Sequence, residues 1–181
     1  KILKKIHLPD SIGFFYTAIT QFLGFQNYGD EYKIMGLAAY GQHSNNYDMS
    51  KIIKIDDKEF YKINNKYIKM HSGGSAEKVF NSNVVIDKWF KPEIEQLLGK
   101  SRKPNSKIKQ SHMDIARAVQ THFEKISLEC IKKLSKLVDT KNLCLSGGCA
   151  LNGLLAGKIA KNTKFKNIYI PPASSDDGLS V

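Results

Sequence analysis

The closing segment, KNLCLSGGCALNGLLAGKIAKNTKFKNIYIPPASSDDGLSV from Lys141 to Val181, constrains the fold more than any other part of the chain. Asn142–Leu145 reads as a short apolar strand, Ser146-Gly147-Gly148 as a sharp turn, and the residues through about Asn162 as a helix. A second strand is expected at Asn167–Ile170, followed by a proline turn and an acidic glycine corner at Asp176-Asp177-Gly178. Strand, helix and strand in that order make a βαβ unit, whose parallel strands bring both following loops to one edge. Adjacent glycines at a strand-to-helix turn let backbone approach an anion closely, and the next helix offers N–H groups and a positive dipole end. One loop therefore suits a phosphate, and the other, with its carboxylates, a metal or a hydroxyl. The same turn also occurs in proteins as a tight turn with no ligand.

The wording around the glycines is more specific. SGGCALNG followed by IPPASSDDG resembles the closing half of the O-carbamoyltransferase family, the nodulation and antibiotic-tailoring enzymes, whose pattern reads SGG-x-ALN and then P-A-x-x-D-x-G. A second stretch, SIGFFYTAITQFLGFQNYGDEYKIMGLAAYG at Ser11–Gly41, is similar to the same family. The matching positions are Ser11, Gly13, Tyr16, Thr20-Gln21, Gly24-Phe25, Glu31-Tyr32-Lys33, Met35-Gly36-Leu37-Ala38 and Tyr40-Gly41. The helix Ser111–Val138 matches more loosely.

That resemblance implies an α/β fold: an actin, sugar-kinase and chaperone-like (RNase H-like) ATPase lobe, incomplete, with an inserted small β-meander. Residues 1–110 are then part of the carbamoyl-transfer domain, with the meander and a basic linker, and residues 111–181 a second RNase H-like lobe truncated at its C-terminus. It implies a fragment of an ATP-dependent O-carbamoyltransferase, inactive alone. Carbamoyl phosphate and ATP give a carbamoyl-adenylate, whose carbamoyl group passes to a hydroxyl of a small-molecule or glycan acceptor. On this reading Gly147 and Gly148 bring backbone N–H groups to the nucleotide, Asn152 reaches it from the first turn of the helix, and Glu31 and Lys33 contact ribose or phosphates. Asp176 is the expected ligand of a divalent metal, Fe²⁺ or Mg²⁺, for which a hard carboxylate oxygen is suitable. The family's His-x-x-x-His metal pair has no counterpart among His7, His43, His71, His112 and His122, so the chain reads as an excerpt of a larger enzyme. Two alternatives stay open: a tRNA threonylcarbamoyl-type transferase, and a nucleotide-binding module without catalysis.

Bulk properties exclude some classes. At 181 residues and 41% hydrophobic content the chain is of ordinary globular composition. No run approaches the roughly 20 apolar residues a membrane helix needs, and Lys1–His7 is not followed by a secretory signal. An odd set of three cysteines (Cys130, Cys144, Cys149) without paired-ligand spacing reads as reduced thiols of a cytoplasmic protein. Cys149, beside the turn, is placed where a helix N-terminus could lower its pKa. The net charge of +11 invites a nucleic-acid partner, but only Arg102 and Arg117 among 28 basic residues are arginine, the residue suited to bidentate phosphate contacts. Nucleic acid is therefore disfavoured as a partner, and the dense run 100–109 reads as an exposed linker. Apolar surface left by the missing part would promote self-association of the excerpt.

Along the rest of the chain, Asp10-Ser11 can cap a helix through about Leu23, with Phe14, Phe15, Ala18, Ile19 and Phe22 on its apolar side and Gly24 as its stop. A short helix is expected at Glu31–Ala39 and a polar loop at His43–Asp48. Lys51–Ile55, Phe60–Ile63 and Tyr67–Met70 read as a three-stranded meander. Ser72-Gly73-Gly74-Ser75 reads as a loop. Ser111–Val138 is the clearest helix, because Ile115, Val119, Phe123, Ile126, Cys130, Leu134 and Leu137 recur at spacings of three and four. His122, beside that stripe, reads as a packed side chain.

Overall fold

Ser11 opens the first helix, α1 (Ile12–Phe22), by accepting the Phe14 N–H on its hydroxyl at 3.4 Å. Gly24 stops it at φ +80°, a left-handed conformation that glycine adopts without a side-chain clash. A Cβ there would also lie 2.7 Å from the Arg102 carbonyl oxygen. The computed structural model describes residues 1–69, 78–80, 83–85, 87–175 and 178. Within it α1 is the central element. Phe15, Ala18, Ile19 and Phe22 are wholly buried, and so, nearly, are Tyr16, Thr20 and Gln21. Burying each large apolar side chain contributes roughly 1.5–3 kcal/mol, which makes this helix the main organiser of the core.

Helix α2 (Glu31–Ala38) buries Ile34 and Ala38 and lies against α4 (Gln110–Leu137). Their approach is close at Gly41, where a Cβ would fall 2.2 Å from the Met113 carbonyl oxygen. The expected stripe on α4 is present: Ile115, Val119, Phe123 and Ile126 are buried. It fades toward the C-terminal end, where Leu137 is exposed.

Strands β1 (Ile53–Asp56) and β2 (Phe60–Ile63) form an antiparallel hairpin with Ile53 opposite Ile63 and Asp56 opposite Phe60. The Asp56 carboxylate accepts the Lys58 and Glu59 N–H groups at 2.9 and 2.7 Å and closes the turn. The hairpin rests on α4, where His122 Nε2 hydrogen-bonds the Ile53 carbonyl at 2.7 Å, the packing role expected of that histidine.

The third strand of the expected meander does not join this sheet. Asn64 turns the chain instead, its carbonyl accepting the Tyr67 and Ile68 N–H groups. Ile68 then bridges antiparallel to Phe90, with Lys69 N–H donating to Trp89 and Lys91 N–H to Tyr67. Met70 and Ser72–Ser75 lie outside the described residues. A second hairpin pairs β3 (Lys78–Phe80) with β4 (Asn83–Val85). Trp89 and Phe90 then return the chain to α1, where Trp89 meets Phe14 in a tilted ring contact and Phe90 meets Phe22 edge-to-face, at centroid distances of 4.0 and 5.4 Å. A short helix, α3 (Glu95–Leu98), follows.

The basic run 100–109 is not wholly an exposed linker. Arg102 is buried, its guanidinium donating to the Leu23 and Ser106 carbonyls and lying 4.7 Å from the centre of the Phe25 ring. Carbonyl acceptors and an aromatic face offset the desolvation of that cation.

The closing βαβ unit forms as expected. Strands β5 (Asn142–Cys144) and β6 (Asn167–Tyr169) are parallel, with Leu143 opposite Ile168, and α5 (Gly153–Asn162) crosses between them with Leu155 and Ile159 buried. The chain is thus mixed α/β with small two-stranded sheets. No helix among the described residues is long and apolar enough to cross a membrane.

Candidate functional site

The parallel pairing of β5 and β6 brings their following loops into contact. The Leu145 N–H continues the ladder to the Tyr169 carbonyl at 3.0 Å. Past it, the Ser174 carbonyl accepts from the Gly147 N–H at 2.5 Å and from the Ser146 hydroxyl at 3.1 Å. Gly147 has φ +93°, so its conformation alone calls for glycine. Gly148 has no such requirement, and a Cβ on it would meet no atom of the described residues within 4 Å. Both glycines are exposed. Among the described residues nothing covers the turn. Its geometry divides the two glycines: the Gly147 N–H is occupied by Ser174, whereas the Gly148 N–H has no acceptor among the described residues. Ser174 itself is buried, and its Oγ has no hydrogen-bond partner among the described residues.

The helix does not start at the glycines. A 3₁₀ turn, Gly148–Leu151, intervenes, and Asn152 is the N-cap of α5 rather than a first-turn residue. Its Oδ1 accepts the Leu155 N–H at 3.0 Å. The Asn152 carboxamide is also paired with that of Gln120 on α4: Gln120 Nε2 donates to Asn152 Oδ1 at 3.0 Å, and Asn152 Nδ2 donates to Gln120 Oε1 at 2.9 Å. Gln120 Nε2 donates further to Glu124 Oε1 at 2.8 Å, and Gln120 Oε1 accepts the Tyr16 hydroxyl at 2.7 Å. Lys158 of α5 closes the row by pairing with the other oxygen of Glu124. Tyr16, Gln120 and Glu124 are all buried. Burial, with the nearby Glu124 and Glu31 carboxylates, holds the Tyr16 phenol well above its ordinary pKa, so it acts as a donor.

Glu31 and Lys33 do not act as a pair. Glu31 Oε1 accepts the Thr17 hydroxyl at 2.6 Å, which holds this carboxylate against α1, the helix that packs under Cys149. A carboxylate there suits a hydroxyl donor rather than a bare phosphate oxygen. Lys33 turns to Asp30, at 2.6 Å, and lies over the Phe25 and Tyr32 rings. The Cys149 thiol is not activated by the helix start. Burial and then Glu31 push its pKa up to about 11, so burial outweighs the lowering that a helix N-terminus could bring. Its sulfur would be 3.5 Å from a Cβ on Gly13, so α1 packs directly under the turn.

Asp176, the expected metal ligand, and its neighbour Asp177 lie outside the described residues. Among the described residues no group of three or more metal-ligating side chains converges. A cleft of about 600 Å³ is found elsewhere, lined by Asp57, Glu129, Lys132, Lys133, Lys161 and Lys164 among others; none of the expected site residues lines it. Sequence reading missed Gln120, Glu124 and Lys158. Their one signal was the i, i+4 spacing of Gln120 and Glu124 beside the apolar stripe, which is also the pattern of a solvated helix edge.

The chain is 32% identical to an uncharacterized protein of Synechocystis over 98% of its length, covering 27% of that protein. It is 28% identical to nodulation protein NolNO of Sinorhizobium fredii over 95% of its length, and 27% identical to nodulation protein NolO of Bradyrhizobium diazoefficiens over 99%. Those matches cover 22% and 29% of the two nodulation proteins, so the chain spans between a fifth and a third of the length of the curated relatives it matches. The family model described as carbamoyltransferase N-terminus matches residues 1–181, the whole chain. A glycine turn tied to the loop after the second parallel strand thus occurs in a chain that belongs to the carbamoyltransferase N-terminus family.

Proposed function

We propose that the chain forms part of the carbamoyl-transfer domain of an ATP-dependent O-carbamoyltransferase, and that the Gly147–Gly148 turn holds the nucleotide portion of a carbamoyl-adenylate. The observation that carries this reading is the junction of the two loops through Ser174, beside which the Gly148 N–H has no acceptor among the described residues and a Cβ on Gly148 would meet none of their atoms within 4 Å. A backbone donor beside a helix start favours an anionic oxygen. On this reading Glu31, held against α1 by Thr17, would accept a ribose hydroxyl. Asp176, two residues after Ser174, supplies a carboxylate for a divalent metal, Fe²⁺ or Mg²⁺, which would act as a Lewis acid on the reacting group. In the transfer step the acceptor oxygen forms a bond to the carbamoyl carbon, the bond from that carbon to the adenylate oxygen breaks, AMP leaves, and the acceptor proton passes to a base. The domain around these residues is read as an RNase H-like ATPase lobe, with carbamoyl phosphate as carbamoyl source and a small-molecule or glycan hydroxyl as acceptor.

The test is calorimetric titration of ATP, with Mg²⁺ or Fe²⁺, into the full-length protein and its Asp176→Ala variant, together with carbamoyl-phosphate-dependent AMP formation. Binding and turnover that both collapse in the variant support the reading. Nucleotide binding without turnover would make the protein a nucleotide-responsive module instead. Absence of nucleotide binding would sink both.

A further inference from the structure

Gln120 has every hydrogen-bonding position in use. Its two amide hydrogens go to Glu124 Oε1 and Asn152 Oδ1, and its oxygen accepts from Tyr16 and from Asn152 Nδ2. A carboxamide offers two donor hydrogens and two acceptor lone pairs, so none is left over. The orientation of this amide is dictated by its neighbours. The Glu124 carboxylate, paired with Lys158, accepts from Gln120, and the Tyr16 hydroxyl donates to Gln120. Turning Gln120 over would set its carbonyl oxygen against the Glu124 carboxylate and its NH₂ against a hydroxyl donor.

That polarity passes on to Asn152. Because Gln120 presents one N–H and one C=O to it, Asn152 is held with its oxygen on the Leu155 N–H and its nitrogen on the Gln120 carbonyl. One hydrogen on Asn152 Nδ2 then has no acceptor among the described residues. Asn152 is half-buried and follows the 3₁₀ turn that starts at Gly148, so this hydrogen belongs to the same stretch as the free Gly148 N–H.

We infer that Gln120 is a positioning residue for the anion site: it holds the Asn152 carboxamide in the one orientation that leaves an Nδ2 hydrogen free for an oxygen of the nucleotide. Glu124 sets the polarity of the row, and Tyr16 fixes its other end. The inference rests on the nucleotide reading given above and adds residues on α1 and α4 to it.

The test is a double-mutant cycle on ATP affinity, with Mg²⁺ present, in the full-length protein. Asn152→Ala and Gln120→Met are each expected to weaken binding about tenfold, the loss of one hydrogen bond to a charged group. The double variant should be no weaker than either single one, because Gln120 acts through Asn152. Losses that multiply to about a hundredfold, or an unaltered affinity in Gln120→Met, would overturn the inference while leaving the nucleotide reading intact. Failure of the unmodified protein to bind ATP would remove both. If Gln120→Met does not fold, Glu124→Gln serves in its place. It is close to isosteric, lets Gln120 turn over, and should weaken ATP binding only when Asn152 is present.

Discussion

The Tyr16 hydroxyl donates to Gln120 Oε1 at 2.7 Å, joining residues 104 positions apart and tying the central helix α1 to α4 directly beneath the glycine turn. Removing one end of this bond should cost less than removing the other. In Tyr16→Phe, Gln120 Oε1 keeps the Asn152 donor, so the expected destabilisation is about 1 kcal/mol. In Gln120→Leu, Tyr16, Asn152 and Glu124 each lose a partner in a buried place, and the expected loss is about 2–3 kcal/mol. Urea unfolding of both variants checks the ordering. Equal losses would mean that the amide is not the hub of the row.

Gly147 and Gly148 should respond differently to a methyl group. Gly147→Ala places a Cβ at φ +93° and should lose roughly 1–2 kcal/mol of stability. Gly148→Ala meets no atom of the described residues within 4 Å and should leave stability within about 0.5 kcal/mol of the unmodified protein. If the turn holds a nucleotide, the second variant should still lose ATP affinity, since the methyl group occupies space a phosphate would need. Calorimetric affinity together with thermal unfolding separates the effects, and unaltered affinity in Gly148→Ala would count against the turn as the anion site.

What could be read from the chain followed from local chemistry. Ser11 and Gly24 punctuate α1 through a capping hydroxyl and a left-handed stop, and both signals sit within one turn of the helix they bound. The βαβ unit was legible because its apolar strands and glycine turn are contiguous. Tyr67–Met70 was misread because its alternation fits a strand, while its actual partner, Phe90, lies too far along the chain for local pattern to supply. Arg102 looked solvated inside a lysine-rich run, and only the closeness of the chain at Gly24 shows that it is enclosed. Around the glycine turn, the motif pointed to Gly147, Gly148 and Asn152, which the fold brings into one stretch. The residues hydrogen-bonded to Asn152 were not legible, since Gln120 and Glu124 become neighbours of α5 only through packing.

Stability should fall on mild acidification through His122. Burial lowers the pKa of this imidazole below its ordinary 6.5 in the folded protein, and the nearby Lys125 adds to the shift, while the Ile53 carbonyl and Asp48 oppose it. As pH drops below about 6.5 the unfolded chain takes up a proton before the folded one does, so protonation favours unfolding. His112, lowered by burial and by Arg102 and Lys109, acts in the same direction. Thermal unfolding followed from about pH 7.5 to about pH 5 should show a falling midpoint. His122→Gln, which can still donate to the Ile53 carbonyl, should flatten that slope. An equally steep slope in the variant would assign the effect to other groups.

The three thiols should separate by reactivity, because only one combines exposure with an unburied environment. Cys144 is exposed, whereas burial pushes Cys130 and Cys149 up to about 11. At about pH 8 a thiol with that pKa is roughly one part in a thousand thiolate, and the thiolate is the nucleophile. Iodoacetamide followed by peptide mass spectrometry should therefore mark Cys144 first, with Cys130 and Cys149 at least about tenfold slower. The same burial sets a linkage at alkaline pH. A thiol whose pKa is raised from 9.0 to about 11 supports folding below pH 9 and loses that contribution as pH rises toward 11. Cys149→Ser should therefore lessen the alkaline loss of stability. Alkylation of Cys149 as fast as that of Cys144 would show that α1 does not seal the underside of the turn, and the placement of Glu31 and Tyr16 beside it would fall with that.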